Sequence, residues 1–160
     1  MKQRSYDPER FKRKQLRLPA HDYSTTGAYF VTILATTRAP LFHQPELYRI
    51  LHDTWKTLPT RFPEVTLDEF VIMPDHIHFI LWLNKGSTSL GSVIGAYKSL
   101  TTVYWLRHLK SLGQDGERPG RIWHNNYYER VIRIDELEAT RLYIRQNPHK
   151  LQNPPHPPDM

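Results

Sequence analysis

Residues 65–83, VTLDEFVIMPDHIHFILWL, hold two runs of β-branched and aromatic side chains around a central Pro-Asp pair. Such runs are typical of β-strands, and the very short connection predicts that the two strands are antiparallel neighbours. Side chains two apart on a strand point to the same face of the sheet. His76 and His78 therefore present two imidazoles on one face, while Ile77 points into the core.

The sequence on either side of this hairpin predicts the other elements. A β-branched and aromatic run precedes it, apolar side chains at helical spacing occur on both sides, and a fourth strand and a short helix follow. The predicted strands are 28–36, 65–73, 76–83 and 127–134, and the predicted helices are 46–58, 90–112 and 136–146. Pro59 and Pro63 are expected to end the first helix. This order predicts an α+β, ferredoxin- or RRM-like sandwich, with a mainly antiparallel sheet and helices on one face.

Length and composition exclude several classes of protein. The 160 residues fit one domain at 19–150, between a basic flexible arm at 1–18 and a proline-rich tail at 151–160. The absence of cysteine excludes disulfides and thiolate metal sites. No apolar run is long enough for a membrane span, and the basic N-terminus lacks the apolar segment of a signal peptide. We therefore expect no membrane partner and a cytoplasmic location.

The positive charge of the chain is concentrated near its N-terminus. Residues 1–18 contain seven basic and two acidic side chains, and so carry five of the six net positive charges. A basic arm on a nearly neutral body is typical of proteins that bind polyanions such as nucleic acids. A solvated, disordered terminus is the alternative interpretation. The arm residues expected to contact phosphates are Arg10, Lys12, Arg13, Lys14 and Arg17.

The histidine pair is the first group that can carry chemistry. Two neighbouring imidazoles on a strand, His76 and His78, suit a divalent metal ion. The alternative is one core histidine beside one that faces solvent. Asp75, just before the pair, is interpreted first as a turn residue, with orientation of a ligand histidine as its other possible role.

A tyrosine and an asparagine near the end of the last helix form the second group. Tyr143 and Asn147 are four residues apart and so share a helical face. The phenol can act as a nucleophile and the amide oxygen as a metal ligand, whereas the alternative is a core tyrosine and an asparagine that caps the helix. By composition alone, the nucleophile could equally be Tyr97, Tyr104, Tyr127 or Tyr128.

Several short segments, in order along residues 17–150, resemble the REP-associated tyrosine transposases. These are single-tyrosine HUH endonucleases related to the small insertion-sequence transposases. The segments are YFVT at 29–32, LF at 41–42, FVIMPDHIH at 70–78, YKS at 97–99, IW at 122–123, YYE at 127–129, YI at 143–144 and NP at 147–148.

The resemblance implies a role for each residue of both groups. It makes His76 and His78 ligands of Mg²⁺ or Mn²⁺, Tyr143 the nucleophile and Asn147 the third ligand. The insertion-sequence enzymes usually have glutamine four residues after the tyrosine. Gln146 is one place away from that position and would face away on a regular helix, so Asn147 and Gln146 both stay open as the third ligand.

The resemblance also implies an activity. The protein would cleave and rejoin single-stranded DNA near palindromic, REP-like hairpins through a 5′-phosphotyrosine intermediate, without ATP. It would be associated with the nucleoid and would act as a monomer rather than a dimer. Further expected phosphate contacts, for which ordinary surface charge is the alternative, are Lys98, Arg121, Arg130 and Arg133.

Two other function classes remain open from the sequence. A non-catalytic, RRM-like module that binds single-stranded nucleic acid would use the same sheet and arm without a metal or a reactive tyrosine. A small-molecule metallohydrolase would use the histidine pair but would leave the basic arm without a role.

Overall fold

The computed structural model describes residues 27–86, 88–114 and 121–147. Its elements are β1 (Gly27–Ala35), α1 (Pro45–Arg61), β2 (Val65–Ile72), β3 (His76–Leu83), α2 (Leu90–Ser111), β4 (Trp123–Ile132) and α3 (Leu137–Gln146), with 3-10 turns at Leu41–His43 and Ile134–Glu136. The proline-rich tail and the basic arm, with Arg10, Lys12, Arg13, Lys14 and Arg17, lie outside the described residues. The phosphate contacts predicted for the arm therefore stay predictions.

The four strands form one antiparallel sheet in the order β2-β3-β1-β4. Two strand–helix–strand units joined by the β2–β3 hairpin produce this order, which is the ferredoxin-like arrangement. The predicted fold class is therefore confirmed. The register places Thr32 of β1 between His78 of β3 and Tyr128 of β4, so these three side chains share one face of the sheet.

The larger core lies on the opposite face, beneath α1 and α2. Alternate side chains of the two central strands meet apolar residues that recur at helical spacing, and together they exclude water. The strand residues in this core include Tyr29, Val31, Ile33, Ile77, Phe79 and Leu81, and the helical residues include Leu47, Leu51, Trp55, Leu58, Val93, Ile94 and Tyr97.

A smaller apolar cluster lies on the histidine face, beneath α3. It contains Phe30, Ile80 and Ile132 from the sheet, with Leu137 and Ile144 from the helix. The prediction that helices cover one face describes α1 and α2, and α3 adds a short helix to the other face. It does so because these strands are apolar on both faces, and an exposed apolar face is unfavourable in water.

Two element boundaries differ by three residues or more from those predicted. α1 continues through Pro59 to Arg61 because a proline removes only one backbone N–H there, and the buried Leu58 before it holds the last turn against the core. β4 begins at Trp123, four residues early, since buried Trp123 pairs with β1 and its indole N–H donates to Thr101 at 2.8 Å. No helix in the described ranges is long and apolar enough to cross a membrane.

Candidate active site

His76 and His78 lie side by side at the start of β3. Their ring centroids are 4.7 Å apart and the rings meet edge to face. Both point to the face that carries α3, as the strand spacing predicted. His78 is buried, with 3% of its surface exposed, whereas the side chain of His76 keeps 19% of its surface in solvent. One ring of the pair is therefore buried in the protein, and the other is partly exposed to solvent.

Each imidazole has a hydrogen-bond partner at Nδ1. Asp75 Oδ1 lies 2.7 Å from His76 Nδ1, and Thr32 Oγ1 lies 2.8 Å from His78 Nδ1. An ionised carboxylate can only accept, so the neutral tautomer of His76 that fits this contact has its proton on Nδ1 and its lone pair on Nε2. Asp75 thus orients a histidine in addition to forming the turn, which was the less favoured of its two predicted roles.

The environment of His78 keeps its ring neutral. Burial, and then the neighbouring His76, lower the pKa of His78 to about 3. A charged imidazolium is unfavourable away from water, and a second imidazole close by disfavours it further. Metal ions bind the neutral ring through its lone pair. His78 is therefore in the protonation state that a metal ligand requires.

Helix α3 brings Tyr143 over this pair. The ring centroid of Tyr143 lies 5.8 Å from that of His78 and 6.2 Å from that of Phe30, in edge contacts. One turn further along, Asn147 is 3% exposed, and its amide Nδ2 is buried without a hydrogen-bond partner in the described ranges. Gln146 is exposed. Helical geometry thus places the amide of Asn147, and not that of Gln146, on the buried side of the helix.

The donor set suits a divalent cation. The described residues contain no group of three His, Cys, Asp or Glu side chains able to hold a metal, so protein ligation beyond His76 and His78 requires another residue type. Asn147 is the candidate that the sequence predicts, and its buried, unpartnered amide carries an oxygen of the type that binds divalent cations.

The structure separates three of the other four candidate tyrosines from the histidines. Tyr97 is buried under the sheet, and its hydroxyl donates to a carbonyl of α1 at 2.9 Å. Tyr127 packs against the larger core, and Tyr104 lies exposed on α2, beyond the opposite face. Tyr128 lies on the histidine face, on β4. Of the five tyrosines considered, only Tyr143 and Tyr128 therefore share a face with the histidine pair.

Lys98 and Arg121 lie near the start of β4. Lys98 Nζ donates to the carbonyl of His124 at 2.8 Å and lies 5.8 Å from the ring centre of Tyr127. Burial, and then the nearby charge of Arg121, lower the pKa of Lys98. The positive charges of Lys98 and Arg121 lie close enough to repel each other, and a bound phosphate group would reduce this repulsion.

Arg130 and Arg133 lie at the other end of β4. Arg130 Nη1 is 3.4 Å from Glu136, and Arg133 Nη2 is 3.1 Å from Asp135. The four predicted phosphate contacts therefore form two pairs at opposite ends of the strand rather than one continuous track.

Two arginines of α3, which the sequence analysis did not single out, join the helix to β2. Arg141 contacts both carboxylate oxygens of Asp68, with Nε–Oδ1 at 2.9 Å and Nη2–Oδ2 at 2.6 Å. Arg145 Nε donates to Glu69 Oε1 at 2.7 Å. The signal in the sequence that could have indicated these contacts was the acidic pair Asp68–Glu69 in the middle of an apolar strand.

The sequence is similar to a transposase family and to two proteins of Haemophilus influenzae. A family model described as IS200-like transposase matches residues 24–147. A Haemophilus influenzae protein provisionally named REP-associated tyrosine transposase is 26% identical over 132 residues, which cover 81% of this chain and 74% of that protein. An uncharacterised protein from the same species is 29% identical over 167 residues, covering 85% of this chain and 88% of the other.

Two solved structures share the fold. One is a REP-associated tyrosine transposase bound to a REP hairpin, with a TM-score of 0.63 and 21% identity over 84% of this chain and 74% of that one. The other is a provisionally named transposase from Deinococcus radiodurans R1, with a TM-score of 0.56 and 17% identity over 81% of this chain and 95% of that one.

Proposed function

This chain belongs to the IS200-like transposase family, and from that premise we propose that it cleaves and rejoins single-stranded DNA beside REP-like hairpins. The observation that carries the proposal is the edge contact of Tyr143 with the buried, neutral His78, whose ring lies beside His76. The phenol can serve as the nucleophile, and two oriented imidazoles with a buried amide can hold a divalent ion beside it.

In the proposed reaction the Tyr143 oxygen attacks the scissile phosphorus in line with the 3′ oxygen that leaves. The new bond joins the phenolic oxygen to phosphorus, and the bond from phosphorus to the 3′ oxygen breaks. The phenolic proton passes to solvent, and the departing 3′ oxygen takes up a proton. The products are a 5′-phosphotyrosine and a free 3′-OH, and rejoining is the reverse reaction. The phosphoester energy stays in the covalent intermediate, so ATP is not needed.

A metal ion bound at this site would neutralise the charge that develops on the phosphate oxygens. His76, His78 and Asn147 would hold it. The protein's own contribution is orientation: Asp75 and Thr32 fix the two rings from their Nδ1 sides and direct both Nε2 atoms away from those partners.

The hairpin substrate is supported by the shared fold. The solved REP-associated tyrosine transposase of this fold was bound to a REP hairpin. In this chain, α3 packs over β2 and β3, and β4 forms the far edge of the same face. The cations near the two ends of β4, together with the basic arm, would bind the DNA backbone. A monomeric state and association with the nucleoid stay predictions.

A covalent-trapping assay tests the proposal. The protein is mixed with a labelled hairpin oligonucleotide that carries single-stranded flanks, with Mn²⁺ or Mg²⁺, and the products are separated on a denaturing gel. We expect a slow protein–DNA adduct that Tyr143→Phe and EDTA each abolish.

The matched control is Tyr128→Phe, which removes the hydroxyl of the other tyrosine on the histidine face and should leave the adduct intact. An adduct that survives Tyr143→Phe would assign the nucleophile elsewhere. Tight hairpin binding without adduct across a panel of flanking sequences would favour the RRM-like binding module instead.

A further inference from the structure

Strand β2 is irregular at the place where it meets α3. Its pairing with β3 shifts register between Leu67 and Phe70, so Asp68 and Glu69 form a bulge. A β-bulge leaves residues out of the regular ladder and redirects their side chains. Here the two redirected residues are both acidic, and both meet arginines of α3.

The contact at the bulge is a clamp of two ion pairs, Asp68–Arg141 and Glu69–Arg145. The first is bidentate, and Asp68 Oδ2 also accepts the indole N–H of Trp82 at 2.9 Å. The side chain of Asp68 has only 9% of its surface exposed, so solvent screens this pair weakly. The planar guanidinium and the carboxylate pair through two parallel hydrogen bonds. The pair therefore fixes the relative orientation of the two groups as well as the distance between them.

The clamp and the tyrosine occupy opposite flanks of α3. With 100° per residue, Arg141 and Arg145 lie within about 40° of each other, and Tyr143 lies roughly 160–200° away. Ile144 is buried between these flanks, while Leu142 on the outer side is 51% exposed. The helix is thus fixed to β2 along one flank and presents Tyr143 to β3 along the other.

We propose that Asp68 and Glu69 are positioning residues for the nucleophile, because their clamp on Arg141 and Arg145 fixes the rotation of α3 about its own axis. The proposal rests on the function proposed above. The clamp residues act through the helix and need not touch the DNA.

The geometry explains why rotation matters. The apolar contact beneath α3 is small, and the buried aliphatic residues that the helix contributes to it are Leu137 and Ile144. Such a narrow contact leaves a short helix free to roll unless polar groups fix its flank. A roll of about 20° moves a group ~6 Å from the axis by about 2 Å. A misplacement of ~1 Å can reduce a catalysed rate about a hundredfold.

The first test removes the clamp and measures three quantities. In Arg141→Ala/Arg145→Ala, we expect a tenfold or greater loss in the single-turnover rate of adduct formation at saturating DNA. Hairpin affinity should stay within about threefold of the wild-type value. Amide hydrogen exchange should accelerate in residues 137–146 and stay unchanged in α1 and β3.

The matched control is Arg49→Ala. Arg49 also pairs with two carboxylates, Glu46 and Asp53, but it lies exposed on α1, away from α3. This variant removes an arginine and its ion pairs without touching the clamp. It should leave the adduct rate and the exchange of α3 unchanged.

The second test is a charge exchange at the more exposed pair. Glu69→Arg and Arg145→Glu should each slow adduct formation and accelerate exchange in α3, because each places like charges face to face. The double variant should recover most of both losses, since the ion pair re-forms with reversed polarity. A loss caused only by misfolding would not be rescued in this way.

The outcomes separate the clamp from the function. Unchanged α3 exchange in the double alanine variant, or an unchanged adduct rate despite faster exchange, overturns the positioning role. Faster exchange throughout the sheet also overturns it, because the arginines would then stabilise the whole fold. If the wild-type protein forms no adduct with any hairpin, the proposed function fails, and α3 exchange still decides whether the clamp holds the helix.

Discussion

The two faces of the sheet are built by different means. One face is covered by two long helices and a continuous apolar core, in which Phe79 packs against Trp55 with ring centroids 4.7 Å apart. The other face carries one short helix, a small apolar cluster, two ion pairs and the histidine pair. Apolar burial contributes much stability but is non-directional, whereas partly exposed ion pairs contribute little stability but are directional. The comparison indicates that the first face supplies stability and the second supplies geometry.

The largest expected effect comes from the apolar face. Phe79→Ala should destabilise the protein by about 3–5 kcal/mol, because it removes a ring that is 2% exposed and leaves a cavity. Urea unfolding measures this loss. Val103→Ala, at an exposed position of α2, should change the free energy of unfolding by less than ~0.5 kcal/mol. Similar values for the two variants would contradict the assignment of stability to this face.

The next effect separates activity from stability on the histidine face. His76→Ala should reduce adduct formation at least a hundredfold, while it changes the free energy of unfolding by only about 1 kcal/mol, because its side chain is partly exposed and makes one hydrogen bond, to Asp75. Gel assay and urea unfolding of the same preparation check both numbers. A loss of several kcal/mol would make His76 a structural residue instead.

A smaller effect is expected at the clamp. Arg141→Ala should cost about 1 kcal/mol in global stability, since it removes a partly exposed pair but leaves the bond from Trp82 to Asp68. Urea unfolding with the Arg49→Ala control measures the difference. A cost as large as that of Phe79→Ala would erase the contrast between the two faces.

The smallest effect is a pH dependence of the clamp. Burial raises the pKa of Asp68, but hydrogen bonds from Arg141 and Trp82 outweigh it, so its pKa lies below the ordinary value. The contribution of Asp68 to stability is therefore complete above about pH 4, the ordinary aspartate pKa, and is lost as pH falls through the lower folded value. The indole N–H resonance of Trp82 should shift in that range by NMR. The same shift in Asp68→Asn would assign it to another group.

Much of the fold could be predicted because its signals are local. Strand alternation around the Pro-Asp pair placed both histidines on one face, and helical spacing placed Tyr143 and Asn147 together. The extent of α1 could not be predicted, since a local breaker such as Pro59 yields to the packing of buried Leu58. Which face α3 covers also escaped prediction, because both faces of the central strands are apolar.

The missing parts of the site are contacts between distant residues. Thr32 meets His78 across 46 positions of sequence, and Asp68 meets Arg141 across 73. The contact of Thr32 with His78 depends on strand register, and the contact of Asp68 with Arg141 depends on a bulge. Neither contact produces a periodic pattern in the sequence. An acidic pair in a strand is interpreted as solvated until a partner is known.

The turn between β2 and β3 limits how many residues the chain can have at that point. Its carbonyls at Pro74 and Asp75 accept backbone N–H groups of Phe42 and Ala35 at 3.0 and 2.8 Å. The hairpin is thus tied by its own backbone to the end of β1 and to the 3-10 turn at Leu41–His43. One extra residue would break this tie or shift the strand by one place, and a shift of one place turns both imidazoles to the opposite face. Loops elsewhere can lengthen at little entropic cost, but this turn has a fixed length.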